Sequence, residues 1–159
     1  MVYLLLLTAK ENLNRLGVTL PPAPPAVANY VAWVRTGNLI VLSGQLPWEG
    51  SVLKYTGRLG SDLTTAQGYQ AARLATINGL AQIYQATGDL EKVVHIVRLE
   101  GNVFSDEQFT EQPQVLNGAS DLLVEVFEER GRHTRIALGA SAMPLRAAVQ
   151  LSFWIEVQD

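Results

Sequence analysis

The last strand-like stretch of the chain alternates apolar and non-apolar residues more regularly than any other part. From Ala147 to Val157, the side chains at every second position are apolar. A period of two is that of a β-strand with one buried face. We therefore predict a strand over residues 147–157 whose second face lines a site or meets solvent. The apolar face carries Val149, Leu151, Phe153, Ile155 and Val157, and the other face carries Gln150, Ser152, Trp154 and Glu156.

Other stretches carry the β-branched and aromatic residues that strands favour. Tyr30–Arg35 and Leu39–Ser43 flank the turn residues Thr36-Gly37-Asn38, which predicts a hairpin. Glu91–Val103 contains a run of valine and isoleucine that is typical of a central strand. The remaining predicted strands are Ser51–Tyr55, which has the weaker pattern, and Arg135–Gly139.

Two long stretches repeat apolar residues every three or four positions, as an amphipathic helix does. The first runs from Thr64 to about Thr87 and ends at Gly88. The second covers Pro113–Arg130 and ends at Gly131. The order of elements predicts an α+β fold with both long helices on one face of the sheet. The two apolar stripes are Tyr69, Ala72, Thr76, Leu80 and Ile83, then Val115, Ala119, Leu122 and Val126.

Residues 1–28 form an extension that precedes the predicted sheet. Met1–Leu7 begins with a leucine run, but it lacks a basic segment, and charged residues follow too soon for a membrane-spanning helix. We expect this run to pack on a partner subunit and predict no membrane association. A short helix is predicted near Thr8–Leu16, ending at Gly17. Pro21–Pro25 is interpreted as an extended connector within the chain, and less readily as a proline-rich ligand.

Composition limits the classes of function. The 159 residues favour one domain spanning residues 1–159. Hydrophobic residues make up 48% and charged residues 17%, which is little charge for a soluble monomer, so we expect contact with other subunits. A net charge of −3 argues against a nucleic-acid partner. The absence of cysteine excludes thiol nucleophiles, disulfides and thiolate metal sites, and it fits a reducing cytoplasmic location.

Arg135 is the charged residue with the strongest functional signal. It begins a predicted strand directly after the end of a helix, and its guanidinium can pair bidentately with a carboxylate or phosphate. His133 is expected to be solvated or hydrogen-bonded near this site, whereas His95, within an apolar run, is expected to be a core histidine. No cluster of acidic residues accompanies either histidine, so we predict no metal site, and no cofactor-binding motif is present.

The segment Ser43-Gly44-Gln45-Leu46-Pro47 ends the second strand of the hairpin. Glycine at this position lets a ligand approach the backbone N–H donors, while a simple strand-end turn explains the same residues. Composition alone does not distinguish a ligand-binding backbone from a simple strand-end turn. Ser43 is outside any Gly-x-Ser-x-Gly elbow, so we assign no nucleophile.

Three spaced motifs resemble the YjgF/Rid family, the reactive-intermediate imine deaminases. The first is Gly37-Asn38-Leu39 continued to Ser43-Gly44-Gln45-Leu46-Pro47. The second is the stretch Val115–Leu122, and the third is Gly131–Arg135 followed by Met143-Pro144. The last two, with the N-terminal extension, look like one subgroup of the family. The resemblance covers about residues 10–157 and is specific because the motifs occur in the same order.

This resemblance implies a chorismate-mutase-like α+β fold with a mixed sheet and a barrel-like homotrimer. It also implies clefts between neighbouring subunits, in which Arg135 holds the carboxylate of a small molecule, a 2-imino or 2-oxo acid. The cleft-lining positions that it implies are Tyr30, Ser43, Gly44, Asn117 and the backbone near Ala137.

The chain departs from the family at one catalytic position. In the deaminases, a glutamate on the last strand orients the water that attacks the imine carbon, which is acid/base work. An ungapped count from Arg135 places Gln150 there, and glutamine cannot take up a proton at neutral pH. Three functions stay open: a deaminase of 2-imino or enamine acids, a trimer that binds small carboxylates without turnover, and an endoribonuclease. The acidic net charge and the lack of a clustered histidine pair argue against the last.

Overall fold

Three α-helices form along residues 7–159, the part of the chain that the computed structural model describes. Thr8 and Thr64 cap the first two, because each side chain accepts a hydrogen bond from the backbone N–H three residues later. The third has Pro113 in its first turn instead. None of these helices is both long and apolar enough to span a bilayer. They are α1 (Ala9–Arg15), α2 (Thr65–Thr87) and α3 (Gln112–Phe127).

The two long helices end by different means. As predicted, α2 ends at Gly88, which adopts the left-handed conformation with φ 74°. In contrast, α3 ends at Phe127, earlier than predicted, because Glu128 has φ 55° and the chain continues as a 3₁₀ turn to Gly131. Gly131 is still needed, since a Cβ there would collide with the carbonyl oxygen of Leu123.

A five-stranded mixed sheet lies behind the helices, in the order β1-β2-β7-β5-β6. Neighbouring strands are antiparallel except β5 and β6, which are parallel and joined through α3. The predicted strand at Ser51–Tyr55 is reduced to two residues of a separate ribbon, β3 with β4. The strands are β1 (Trp33–Thr36), β2 (Leu39–Leu42), β3 (Trp48–Glu49), β4 (Val52–Leu53), β5 (Val93–Phe104), β6 (Thr134–Ala140) and β7 (Val149–Val157).

The central strand β7 alternates as its sequence predicts. All five residues on its apolar face are at most 1% exposed. Phe153 packs against Gly79 of α2, where a Cβ would lie 2.9 Å from the phenyl ring. Full burial of a large apolar side chain contributes about 1.5–3 kcal/mol, so this face anchors the sheet on the helices. The predicted helical stripes are also buried, apart from the half-buried Tyr69.

His95 is not a core residue, so this prediction from its apolar neighbours is wrong. Strand β5 breaks the regular alternation between Val93 and His95 and again between Ile96 and Arg98. A bulge changes the direction of the side chains that follow it. His95 is consequently exposed to solvent in the single chain. Local apolar content therefore did not reveal which face of β5 this side chain occupies.

The N-terminal extension packs along the helix side of the fold. Asn12 of α1 is fully buried, and its Nδ2 donates to the carbonyl of Val126 at 3.1 Å. Pro21–Pro25 forms neither helix nor strand, and Gln82 of α2 donates to the carbonyl of Pro24 at 2.6 Å. The proline segment is therefore held in a defined position. The prediction for the leucine run mostly concerns residues 4–6, which lie outside the described residues.

Candidate functional site

A cleft opens where β2 ends and β7 begins. Its volume is about 570 Å³, and Tyr30, Ser43, Gly44 and Gln150 are among its lining residues. Small-molecule sites typically enclose about 300–1,000 Å³, so the cleft has the size for a metabolite. The fold thus brings together four of the residues that the sequence nominates for the site. We call this region the β2 cleft.

Gly44 leaves room for the side chain of Gln150, which lies directly over it. A Cβ at Gly44 would stand 2.6 Å from Nε2 of Gln150 and 2.8 Å from its Cδ. The next residue fixes this arrangement, since Gln45 donates to the carbonyl of Leu151 at 2.6 Å and accepts from its N–H at 2.9 Å. The exposed backbone of Gly44 and the amide of Gln150 therefore form one polar edge of the β2 cleft.

Ser43 and Tyr30 form the mouth of the same cleft. The Ser43 hydroxyl donates to the carbonyl of Val31 at 2.6 Å, so its proton is already committed to the backbone. The Tyr30 hydroxyl accepts a long hydrogen bond, 3.5 Å, from the N–H of Val27, and the residue is 47% exposed. Within the described residues, the hydrogen bonds of these two hydroxyls are to backbone groups.

The walls of the β2 cleft are mainly apolar. On one side lies the proline segment with Val27, and on the other lies Leu145, which is 62% exposed. Leu145 has φ 56°, a left-handed conformation that is unfavourable for a residue with a branched side chain. The turn after β6 therefore holds an exposed leucine at the cleft, and the cleft can accept a ligand with an apolar substituent.

Arg135 lies away from this cleft, on β6 at the edge of the sheet. Its Nη1 donates to Oδ1 of Asn117 at 2.9 Å and to Oγ of Ser120 at 3.1 Å, both on α3. None of the ion pairs within residues 7–159 involves Arg135. The guanidinium is held by two neutral acceptors, so its positive charge is available to an anion. We call Arg135, Asn117, Ser120 and Ala137 the arginine site.

The β2 cleft and the arginine site face opposite sides of the sheet. Arg135 is the register partner of the buried Leu99 and contacts α3 on the helix side. Ala137 lies two residues further along the same face. Gln150 pairs with Asn102 and alternates with the buried residues of β7, so it belongs to the open face. One chain therefore holds the predicted site residues as two separate groups.

Sequence reasoning did not assign Ser120, which the structure places between Arg135 and His133. Its Oγ lies 2.9 Å from Nε2 of His133, and Nδ1 of His133 lies 2.6 Å from the carbonyl oxygen of Gly131. A carbonyl only accepts, so Nδ1 carries the proton and Nε2 accepts from Ser120. The spacing of three residues from Asn117 was a usable signal, because it places both side chains on one face of α3. The predicted hydrogen-bonded environment of His133 is confirmed.

Burial of the imidazole ring lowers the pKa of His133 below its ordinary value. The hydrogen bond to the Gly131 carbonyl acts in the opposite direction, and electrostatic interactions with Arg135 and His95 lower the pKa of His133 further. His133 is therefore neutral in solutions at or above neutral pH. Within residues 7–159 no group of three or more His, Asp or Glu side chains is placed to hold a metal ion.

Comparison with known proteins places this arrangement in a family. Residues 10–157 match the family model described as "YjgF/chorismate_mutase-like, putative endoribonuclease". The chain belongs to this YjgF/chorismate-mutase-like family. The YjgF-like chain is 43% identical to Protein TCP17 of Trypanosoma cruzi over 149 residues, which cover 93% of each protein. The family resemblance of the three motifs is thereby confirmed.

Solved structures of other proteins share the fold. A crystal structure from Shewanella oneidensis MR-1 has a TM-score of 0.93 and 39% identity, covering 95% of this chain and 100% of that chain. Protein Atu1372 of Agrobacterium tumefaciens has a TM-score of 0.88 and 40% identity, covering 95% and 94%. RidA from Psychrobacter sp. PAMC 21119, at 21% identity and a TM-score of 0.55, covers 86% and 94% and shares the fold alone. The predicted YjgF-like α+β fold is confirmed.

Proposed function

We propose that this YjgF-like protein binds a small carboxylate, a 2-imino or 2-oxo acid, in clefts between copies of the chain and hydrolyses the imine. The observation that carries the proposal is the guanidinium of Arg135. It is oriented by Asn117 and Ser120, and no carboxylate of residues 7–159 is paired with it. A substrate carboxylate supplies the missing negative charge through a bidentate pair.

A second copy of the chain is needed to complete the site. Arg135 and Gln150 leave the sheet on opposite faces, so one subunit supplies the arginine site and its neighbour supplies the β2 cleft. The open face of the sheet also carries exposed apolar side chains: Val34 is 54% exposed, Ile136 40% and Leu138 56%. Apolar patches of this kind favour burial against another subunit. A closed ring of three, the assembly implied by the family resemblance, creates three equivalent clefts.

Light scattering at micromolar concentration is expected to give a mass three times that of one chain. In a ring, one surface of each subunit contacts a different surface of the next subunit. When the ring closes, both surfaces are buried on every subunit. Replacing Leu138 by glutamate places a charge on the apolar open face, and we expect this variant to lose the trimer. A monomeric mass for the unchanged protein contradicts the assembly.

The chemistry proposed for the cleft follows from the position of the carboxylate. In a 2-imino acid, the reacting carbon is bonded directly to the carboxylate carbon, so Arg135 also positions the electrophile. Gly44 and Gln150 of the neighbouring subunit offer hydrogen bonds to a water molecule, and the apolar walls accept the side chain. Gln150 stays neutral, however, so the family's proton acceptor is lacking at this position and turnover is expected to be slow.

The proposal is tested by adding protein to a 2-imino acid generated in situ and following its disappearance. We expect loss faster than in buffer, with competitive inhibition by the corresponding 2-oxo acid. Binding of the 2-oxo acid without accelerated loss favours the second candidate, a carboxylate-binding trimer without turnover, for which Gln150 is the specific observation. Absence of both binding and hydrolysis contradicts the proposed function.

RNA cleavage is the candidate that the geometry favours least. Lysine and arginine are absent from the described residues that line the β2 cleft. The net charge of the chain is −3, and an RNA backbone binds through positively charged side chains. Arg135 alone offers one anion contact, which suits a single carboxylate better than a chain of phosphates.

A further inference from the structure

We propose that Gln82 makes the β2 cleft selective for acids with a large apolar side chain, by holding the proline segment in place as one wall of the cleft. This inference rests on the proposed function and deepens it, since it names the class of 2-imino or 2-oxo acid that the site accepts. The side chains of this class are branched aliphatic and aromatic groups. Gln82 is a positioning residue, because it acts through Pro24.

The proline segment gives the β2 cleft a wall that offers few hydrogen bonds. Pro24 and Pro25 line the cleft, and proline has no backbone N–H to donate. The carbonyl of Pro24 already accepts a hydrogen bond from Gln82 at 2.6 Å. None of the described residues that line the cleft carries a formal charge. A ligand side chain that enters the cleft therefore meets mainly carbon atoms along this wall.

Two apolar side chains that line the β2 cleft are largely uncovered in the single chain. Val27 is 75% exposed and Leu145 is 62% exposed. Leu145 has a positive φ, and backbone strain of this kind is concentrated at ligand sites. A ligand group that covers these side chains removes apolar surface from water, and each buried methylene strengthens binding by about fourfold. The uncovered surface therefore favours a ligand with a large apolar side chain.

Gln82 is buried, but only one end of its amide has a hydrogen-bond partner. The residue is 1% exposed, and its Nε2 donates to the Pro24 carbonyl. Its Oε1 is buried and accepts no hydrogen bond from the described residues. An unpaired buried acceptor costs stability, and an apolar side chain of similar size avoids that cost. The core therefore does not require a glutamine here, and what this glutamine supplies is the link to Pro24.

Asn78, one helical turn before Gln82, holds another wall of the same cleft. Its Nδ2 donates at 3.0 Å to the carbonyls of both Leu46 and Trp48, which line the β2 cleft. Asn78 and Gln82 are four residues apart on α2, so both amides leave the same face of one helix. Helix α2 therefore fixes the distance between the proline segment and residues 46–48.

The proline segment borders a second cavity besides the β2 cleft. This cavity has a volume of about 480 Å³ and is lined by all five residues of the segment together with Trp48 and Asn78. Close packing normally fixes a segment of chain, and a cavity beside it removes part of that restraint. The position of the proline segment therefore depends on the hydrogen bond from Gln82, and without this bond the wall is free to shift.

The test measures by calorimetry how tightly the wild-type protein binds three 2-oxo acids that differ in their side chains. Pyruvate carries a methyl group, 4-methyl-2-oxopentanoate an isobutyl group, and 2-oxoglutarate a charged chain of similar length. We expect 4-methyl-2-oxopentanoate to bind about 10- to 60-fold more tightly than pyruvate, because it adds three carbon atoms that become largely buried. 2-Oxoglutarate should bind no more tightly than pyruvate, because its second carboxylate would lose water without gaining a cation.

In Gln82→Met, the preference for the isobutyl side chain should fall to about threefold or less, because the wall is no longer held. The affinity for pyruvate should change little, since the Arg135 contact persists. The melting temperature should stay close to the wild-type value, because the variant loses one hydrogen bond but also one unpaired buried acceptor. A purely structural role would instead lower the melting temperature and weaken both ligands alike. The matched control is Gln85→Met on the same helix, because Gln85 is exposed and lies outside the cleft lining.

Leu145→Asn tests the apolar surface at a residue outside the core. Asparagine tolerates the left-handed conformation that Leu145 adopts, so we expect this variant to fold. Its preference for the isobutyl side chain should also fall, because a polar amide replaces part of the apolar lining. An unchanged preference in this variant contradicts the selection by the β2 cleft.

The other outcomes separate this inference from the proposed function. Equal affinity of the wild-type protein for 4-methyl-2-oxopentanoate and pyruvate overturns the apolar selectivity, while the proposed function stands because both acids bind. A wild-type preference that persists unchanged in Gln82→Met overturns the role of Gln82. If the wild-type protein binds none of the three acids, the proposed function itself has failed, and the inference falls with it.

Discussion

Replacing Arg135 by alanine is expected to weaken the binding of a 2-oxo acid by about 2–4 kcal/mol, a factor of about 30 to 700 in Kd. The guanidinium is already positioned by Asn117 and Ser120, so little further ordering is needed when the carboxylate arrives. Alanine removes both donors of the bidentate pair and leaves the carboxylate without a countercharge. Calorimetric titration with pyruvate measures the effect.

Two further variants sharpen this result. Arg135→Lys retains the charge but lacks the planar fork, so we expect it to bind poorly as well. Arg132→Ala is the matched control: Arg132 precedes Arg135 by three residues, is exposed, and pairs with Glu129 at 2.8 Å. Its loss should leave the Kd nearly unchanged. Equal affinity of wild-type protein and Arg135→Ala shows that the carboxylate is anchored elsewhere.

Replacing Gln150 by glutamate is expected to raise kcat/KM for imine hydrolysis by about 10-fold or more, part of the 10²- to 10⁴-fold that acid/base assistance typically supplies. The new carboxylate would stand beside the Gly44 backbone in the β2 cleft, since Gln150 lies directly over that residue. A glutamate there has the same length as the glutamine and adds a proton acceptor that the wild-type cleft lacks. The measurement is kcat/KM on a freshly generated 2-imino acid for both forms.

The control for this substitution is Gln150→Met, which has a similar shape but neither hydrogen-bonding groups nor a titratable one. It should not gain activity. A wild-type rate that is high and does not rise in Gln150→Glu shows that another group activates the water.

Several predictions from the sequence depend only on neighbouring residues, and these were confirmed. The alternation in β7, the two helical stripes and the Gly88 helix end each follow from backbone periodicity or from the conformational freedom of one glycine. The three motifs likewise identified the family and its fold, because their residues are close together in sequence. Arg135 could be selected without the structure because it is a cation placed directly after a helix end.

The tertiary structure alone decided how these pieces face one another. The bulges in β5 turn His95 outward, and the positive φ of Glu128 ends α3 before Arg130. Sheet register places Arg135 and Gln150 on opposite faces, so the residues nominated for one site fall into two groups within a chain. Ser120 contacts Arg135 only because α3 packs beside β6. Contacts between residues far apart in sequence set strand register and helix position, and local periodicity carries no information about them.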